Sequence, residues 1–170
     1  WPYNGEIDIM EYYPSGGAEA IHANVAWGSS TRWSAKWNSK VKKLNTYADM
    51  EEWKRQYHTW TMIYTEKSIR LYCDHDLINE IDLDQTVNSG ARENGINPFR
   101  DPSNRQHVWL NLALGGDNGG SLEHTPFPCE YLVDYVRVYE ATGDNTPEVA
   151  APIIDEPSET KLPEPASAPA

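Results

Sequence analysis

Basic residues are scarce in this chain. Fourteen Lys and Arg stand against 26 Asp and Glu, giving a net charge of −12 and a pI near 4.7. Nucleic-acid binding needs a basic footprint, and anionic membrane surfaces attract polybasic segments, so neither is expected as a partner. No apolar run approaches the ~18 residues that cross a bilayer. Cysteine is nearly missing: Cys73 and Cys129 stand far apart, with no zinc or CxxC spacing. The pair favours two free thiols over one disulfide. Phenylalanine is also rare, at two residues against seven Trp and ten Tyr. Rings with a polar handle suit half-wet surfaces better than dry cores.

Proline and acid crowd the end of the chain. Residues 141–170 hold six of the twelve prolines, six acids, one Lys and no aromatic residue. That composition predicts an extended, solvated linker or tail rather than a folded unit. Residues 1–140 read as one domain, mostly β. The expected strands are 5–12, 20–27, 58–65, 68–74, 77–82, 106–114 and 131–139, with a tight turn at Asp74-His75-Asp76. One short helix is expected over Asp49 to Tyr57, with Asp49 as its N-cap. Residues 84–105 show no period and read as a long loop. Many short strands with little helix predict a two-sheet, jelly-roll sandwich.

Two of these strands have one greasy face and one polar face. In 106–114, Val108, Leu110, Leu112 and Leu114 oppose His107, Trp109, Asn111 and Ala113. In 20–27, His22 and Asn24 lie on the polar side. Such strands are expected to pack a core behind and a ligand in front, with Trp109 and Asn111 lining a groove and Asn24 and His22 reaching into it. For Trp33, Trp37, Trp53 and Trp60 the expected role is packing.

The stretch GEIDIME, residues 5–11, breaks the alternation. Glu6 and Asp8 share one face of an extended strand and Ile7 and Ile9 the other. In a regular strand Glu11 would join the isoleucines, where a bare carboxylate costs several kcal/mol. One extra residue at Met10, a β-bulge, returns Glu11 to the side of Glu6 and Asp8. Three carboxyl groups then crowd one face with no Lys or Arg in the stretch, which raises at least one pKa. A protonated acid beside a charged carboxylate is what glycoside hydrolysis requires. A solvated acidic face, or a calcium site of oxygen ligands, are the other readings of three acids on a strand.

GEIDIMEYY resembles the bulged E-x-D-x-x-E signature of glycoside hydrolase family 16. WPYNGEIDIMEY resembles that family's entry into its catalytic strand, and YHTWTMIYTEKSIRLYCDHDLI the hairpin that follows. HVWLNLALGG and YLVDYVRVYE resemble its last two inner strands. The resemblance covers most of residues 1–140. It implies an all-β, concanavalin-like jelly-roll sandwich with a substrate groove, and a retaining mechanism. Glu6 would be the nucleophile, Glu11 the general acid/base, and Asp8 the residue that positions Glu6 and modulates its charge. The bulged motif is similar to that of laminarinases, agarases and carrageenases, and implies an endo-acting hydrolase of β-1,3-glucan or mixed-linkage β-1,3-1,4-glucan. A galactan hydrolase and a non-catalytic carbohydrate-binding jelly roll are the alternatives. No cofactor is required by such chemistry, although the resemblance places a structural calcium ligand at Asp134. A polysaccharide is the implied partner, a monomer the implied state, and the periplasm or the outside of the cell the implied location. Set against the family's usual length, the chain starts just before the nucleophile strand, so the N-terminal strands are expected to be missing. The piece alone is then expected to fold poorly or be inactive.

Overall fold

The computed structural model describes residues 1–90 and 93–140. The expected tail at 141–170 lies outside the described residues. Two three-stranded antiparallel sheets form the body. The first has the order β1-β2-β3, with β1 at Glu6–Tyr12, β2 at Ala20–Gly28 and β3 at Ala35–Lys43. The second has the order β4-β5-β6, with β4 at Trp60–Tyr64, β5 at Ser68–Cys73 and β6 at Asp76–Asp82. Helix is confined to short turns, α1 at Met50–Trp53 and α2 at Gly116–Gly119, with 3-10 turns at Leu44–Thr46 and Leu83–Gln85. The fold is all-β, as the short alternating runs predict, with sheets that stay open.

The core lies between the sheets. Ala23, Val25 and Trp27 point inward from β2 and meet Ile69 and Leu71 of β5, Ile81 of β6, Leu83 and Phe99. Ile7 and Ile9 of β1 and Met62 of β4 pack against this cluster. All the strands but β3 thus present residues to one apolar layer, which is the period-2 burial that the sequence pattern encodes. One polar side chain crosses the layer. Asn79 of β6 is 2% exposed, and its Nδ2 donates to the Ala23 carbonyl of β2 at 2.9 Å and to that of Asn38 in β3 at 3.4 Å. Asn79→Ala removes both bonds inside the core and is expected to lower the unfolding free energy by about 1–3 kcal/mol, read as a lower urea midpoint at unchanged slope.

Three expectations change. β3, AKWNSKVKK, was not expected as a strand. It is an edge strand whose lysines keep the open edge from pairing with other chains, and its few apolar positions hide the alternation. α1 is shorter than the expected Asp49 to Tyr57. Asp49 does cap it, accepting from Glu52 N at 3.0 Å, but no α1 residue is fully buried, so no apolar face extends the helix beyond Trp53. The segments 106–114 and 131–139 join no ladder among the described residues. Val108, Leu110, Leu112 and Leu114 are exposed along with Trp109. Alternation in a sequence specifies faces, and a strand also needs a neighbour with free backbone groups. The β5–β6 connection is the tight turn expected, with Asp74 in left-handed backbone at φ 51.

Candidate active site on the first sheet

The outer face of the first sheet carries the three acids. β1 pairs with β2 as Glu6 with Ala26, Ile7 with Val25 and Asp8 with Asn24, then shifts by one residue to Glu11 with His22 and Tyr12 with Ile21. Ile9 and Met10 together face Ala23, so the bulge falls at the expected step. Without it the Glu11 side chain would point into the Ile7 and Val25 layer. Gly5 sets the entry to β1. Its φ is +74, and a Cβ there would come within 2.7 Å of the Phe99 ring, so glycine alone lets the strand approach the core this closely.

A cavity of about 490 Å³ lies over this face, lined by Glu6, Glu11, Tyr13, His22, Asn24, Trp37, Ser39 and Asn118. Asn24 Nδ2 donates to Glu11 Oε2 at 2.8 Å. His22 stacks on the Tyr13 ring at 3.6 Å and its Nε2 lies 3.1 Å from the Tyr13 carbonyl. A carbonyl only accepts, so that nitrogen carries a proton. Trp1 Nε1 donates to Glu6 Oε2, and the Trp1 ring stands 6.4 Å from that of Trp37. Two neighbouring indoles therefore stand beside the Glu6 end of the cavity.

Burial and the carboxylates of Glu11 and Glu6 push the Asp8 pKa up to about 7. A bond to Glu6 raises it further, the Asn24 amide opposes the shift, and Asp8 Oδ2 is buried without a hydrogen-bond partner. Burial also raises Glu11, as does Glu6, while the Asn24 amide and His22 pull it down. The face therefore holds one acid, Asp8, that gives up its proton only around neutrality, and a second, Glu11, that keeps its proton to higher pH than an ordinary glutamate. Such a face can give a proton to a leaving oxygen and offer a carboxylate to a carbon.

The structure brings Glu6, Asp8, Glu11, His22 and Asn24 together. It does not bring Trp109 or Asn111 to them. Trp109 is 84% exposed, and neither lines the cavity, because their segment forms no strand beside β1. Asp134 is exposed, and among the described residues the one cluster of three or more His, Cys, Asp or Glu able to hold a metal is elsewhere. The expectation of a calcium ligand at Asp134 rests on the resemblance alone. Trp1, Tyr13, Trp37, Ser39 and Asn118 were missed as site residues. Trp37 and Ser39 face Ala26 and Asn24 in the ladder, so recognising β3 as a strand would have placed them on the same face as the acids.

No known family profile matches the chain. Glucan endo-1,3-beta-glucosidase A1 of Niallia circulans is 28% identical over 145 residues, 82% of this chain and 20% of that protein. Beta-glucanase of Rhodothermus marinus is 29% identical over 144 residues, 82% of this chain and 46% of that protein. Keratan-sulfate endo-1,4-beta-galactosidase of Sphingobacterium multivorum is 30% identical over 140 residues, 82% of this chain and 29% of that protein. The chain thus spans less than half the length of these relatives. With its all-β fold and its bulged row of acids, the chain is similar, at low identity, to glycosidases of the glycoside hydrolase family 16 type.

Proposed function

We propose that the chain carries the catalytic face of an endo-acting, retaining hydrolase of β-linked polysaccharides. The observation that carries this reading is the bulge at Ile9 and Met10, which returns Glu11 to the face of Glu6 and Asp8, with Glu6 and Glu11 lining one cavity. In the first step a Glu6 carboxylate oxygen attacks the anomeric carbon. The glycosidic C–O bond breaks, and Glu11 gives its proton to the departing oxygen. In the second step Glu11 takes a proton from water. The water oxygen bonds to the anomeric carbon and Glu6 leaves. The proton on Asp8, donated toward Glu6, restrains the nucleophile's charge and fixes its orientation. Two carboxyl groups supply this chemistry without a cofactor.

The lining supports a neutral glycan. No Lys or Arg is among the cavity residues. A sulfate or uronate charge ~5 Å from one carboxylate is opposed by roughly 3 kcal/mol at an effective dielectric of ~20. β-1,3-Glucan or mixed-linkage β-1,3-1,4-glucan is the preferred substrate, in keeping with the names of the Niallia and Rhodothermus relatives. A neutral galactan is the second reading, because the Sphingobacterium relative is named a galactosidase. Polymers of this kind do not enter cells intact, so action in the periplasm or outside the cell belongs to the same proposal.

The test is reducing-end release from laminarin, lichenan and agarose by the chain and by any longer natural form. Release of oligosaccharides of mixed length from laminarin is expected, with the anomeric configuration retained in the first product. Release from agarose alone would move the substrate to galactans. A folded protein that binds laminarin through Trp37 yet releases nothing from any of the three would make the site a binding surface. Trp37 is 47% exposed over the cavity and free to stack on a sugar face. Trp37→Ala is expected to raise KM five- to thirtyfold with kcat nearly unchanged, for a loss of about 1–2 kcal/mol of ring contact.

A further inference from the structure

Far from the acids, a second cluster of reactive side chains closes one end of the second sheet. His58 precedes β4, Cys73 ends β5 and Asp74 opens the β5–β6 turn. One donor atom from each lies within 4.8 Å of the others. His58 Nδ1 is 2.8 Å from Asp74 Oδ2, and Cys73 Sγ is 3.9 Å from the same oxygen. The other imidazole nitrogen, Nε2, is 2.7 Å from the Trp53 carbonyl. That carbonyl can only accept, so Nε2 carries a proton and Nδ1 is the nitrogen turned toward the thiol and the carboxylate. Metal-bound histidines are oriented in this way, with the far N–H given to a backbone carbonyl. Trp53 stacks on the ring at 3.8 Å and prevents it from turning. Asp74 is held as well. Its Oδ1 accepts from Thr59 N at 2.9 Å, which leaves Oδ2 for the cluster.

We propose that His58 Nδ1, Cys73 Sγ and Asp74 Oδ2 form a structural zinc site, with water as the fourth ligand. A thiolate, an imidazole and a carboxylate together select Zn²⁺ over the oxygen-seeking Ca²⁺ and Mg²⁺. Zinc at ~2.3 Å from sulfur and ~2.0–2.2 Å from nitrogen and oxygen spaces tetrahedral donors roughly 3.3–3.7 Å apart. The 2.8 Å pair must open by about half an ångström and the 3.9 Å pair close by less, both within the reach of side-chain rotation. Zinc replaces the proton on Sγ and the proton held between Nδ1 and Oδ2, and both are released to solvent. The Asp74 side chain is 39% exposed, against 9% for His58, so the ion and its water enter from the Asp74 side. Tyr47, whose hydroxyl is buried and interacts with Cys73, stands ready to donate to the metal-bound sulfur. The ion would staple the α1–β4 junction to the β5–β6 turn.

The experiment titrates the reduced 170-residue chain with Zn²⁺ against a chromophoric chelator, and with Co²⁺ followed by absorbance. One equivalent is expected, with a near-ultraviolet thiolate-to-cobalt band and the intense visible bands of tetrahedral cobalt. Cys73→Ser should remove the thiolate band and Cys129→Ser should keep it. His58→Gln should weaken zinc binding at least tenfold, since even losing an outer-shell partner costs about 10–100-fold. Should Cys73→Ser fail to fold by circular dichroism, His58→Gln and Asp74→Asn decide the matter from outside the core. No binding by the folded wild-type chain would overturn the site and leave a His58–Asp74 ion pair in its place. Zinc affinity unchanged in His58→Gln, or a thiolate band that depends on Cys129, would also overturn it.

Discussion

Glu6→Gln is expected to drop kcat by roughly four to six orders of magnitude, the scale on which a covalent nucleophile is lost, with folding and glycan binding kept. Glutamine keeps the shape of Glu6 and can still accept from Trp1 Nε1. It cannot form the glycosyl ester. Glu11→Gln falls less far, by ~10²–10⁴-fold, because it removes proton transfer and leaves the nucleophile. A substrate whose leaving group needs no proton separates the two roles. It restores the first step in Glu11→Gln and does nothing for Glu6→Gln. Azide carries the assignment further. Entering the space opened by Glu6→Ala, it attacks from the nucleophile's face and gives a glycosyl azide of inverted configuration. In a Glu11→Ala variant it replaces water and gives the retained one. Equal losses in both variants with no azide product from either would remove the retaining mechanism. The measurement is initial rate on an aryl glycoside, with product configuration read by proton NMR.

Asp8→Asn makes the protein more stable above neutrality and removes a pH dependence that the wild type shows. The direction follows from linkage. Asp8 has a folded-state pKa of about 7 against an ordinary value of 3.8, so between these values the folded state holds a proton that the unfolded chain has released. Stability therefore falls as pH rises through this window, with the full benefit present below pH ~4 and lost above pH ~7. Asp8 keeps part of its surface in water, so the loss is about 2 kcal/mol rather than the larger figure the whole shift implies. For a domain of this size that is roughly 5–10 °C in Tm between pH 5 and pH 8. The substituted amide carries no charge and keeps the shape of the carboxyl, so the variant's Tm should stay flat relative to wild type across that range. Parallel curves for the two proteins would mean that Asp8 is ionised in the folded state at pH 5, and its role as a proton donor to Glu6 would fail with it. Differential scanning fluorimetry across that pH range in one mixed buffer suffices.

How much of the site was legible turned on strand parity. Glu6 and Asp8 two apart, followed by the apolar pair Ile9-Met10 and then Glu11, keep a carboxylate out of the core either by ending the strand before Glu11 or by a bulge. A bulge at Met10 could be read before any coordinates, and the ladder then set it opposite Ala23. His22 and Asn24 were equally legible, because β2 is a long central strand with small or apolar residues on its inner face. Trp37 was not. β3 is an edge strand, and its polar, lysine-rich run gives no period to count. Trp109 fails for the opposite reason. Its segment alternates cleanly, but the described residues place no backbone partner beside it.

What could be read along the chain alone is the chemistry of the face: three acids, their order, the bulge that aligns them, and His22 and Asn24 on the polar side of the next strand. These follow from local rules, since side-chain direction in a strand repeats every two residues and burial of a charge is costly. Only the tertiary structure decided what stands around that face. It brought Trp1 from before β1 onto Glu6, and Trp37 from the far edge of the sheet against Trp1. It joined His58 to Cys73 and Asp74 across the second sheet. It also settled which alternating segments found a neighbour. Such pairings depend on which hydrogen-bonding edges lie within reach once the core has closed, and no count along the chain contains that distance.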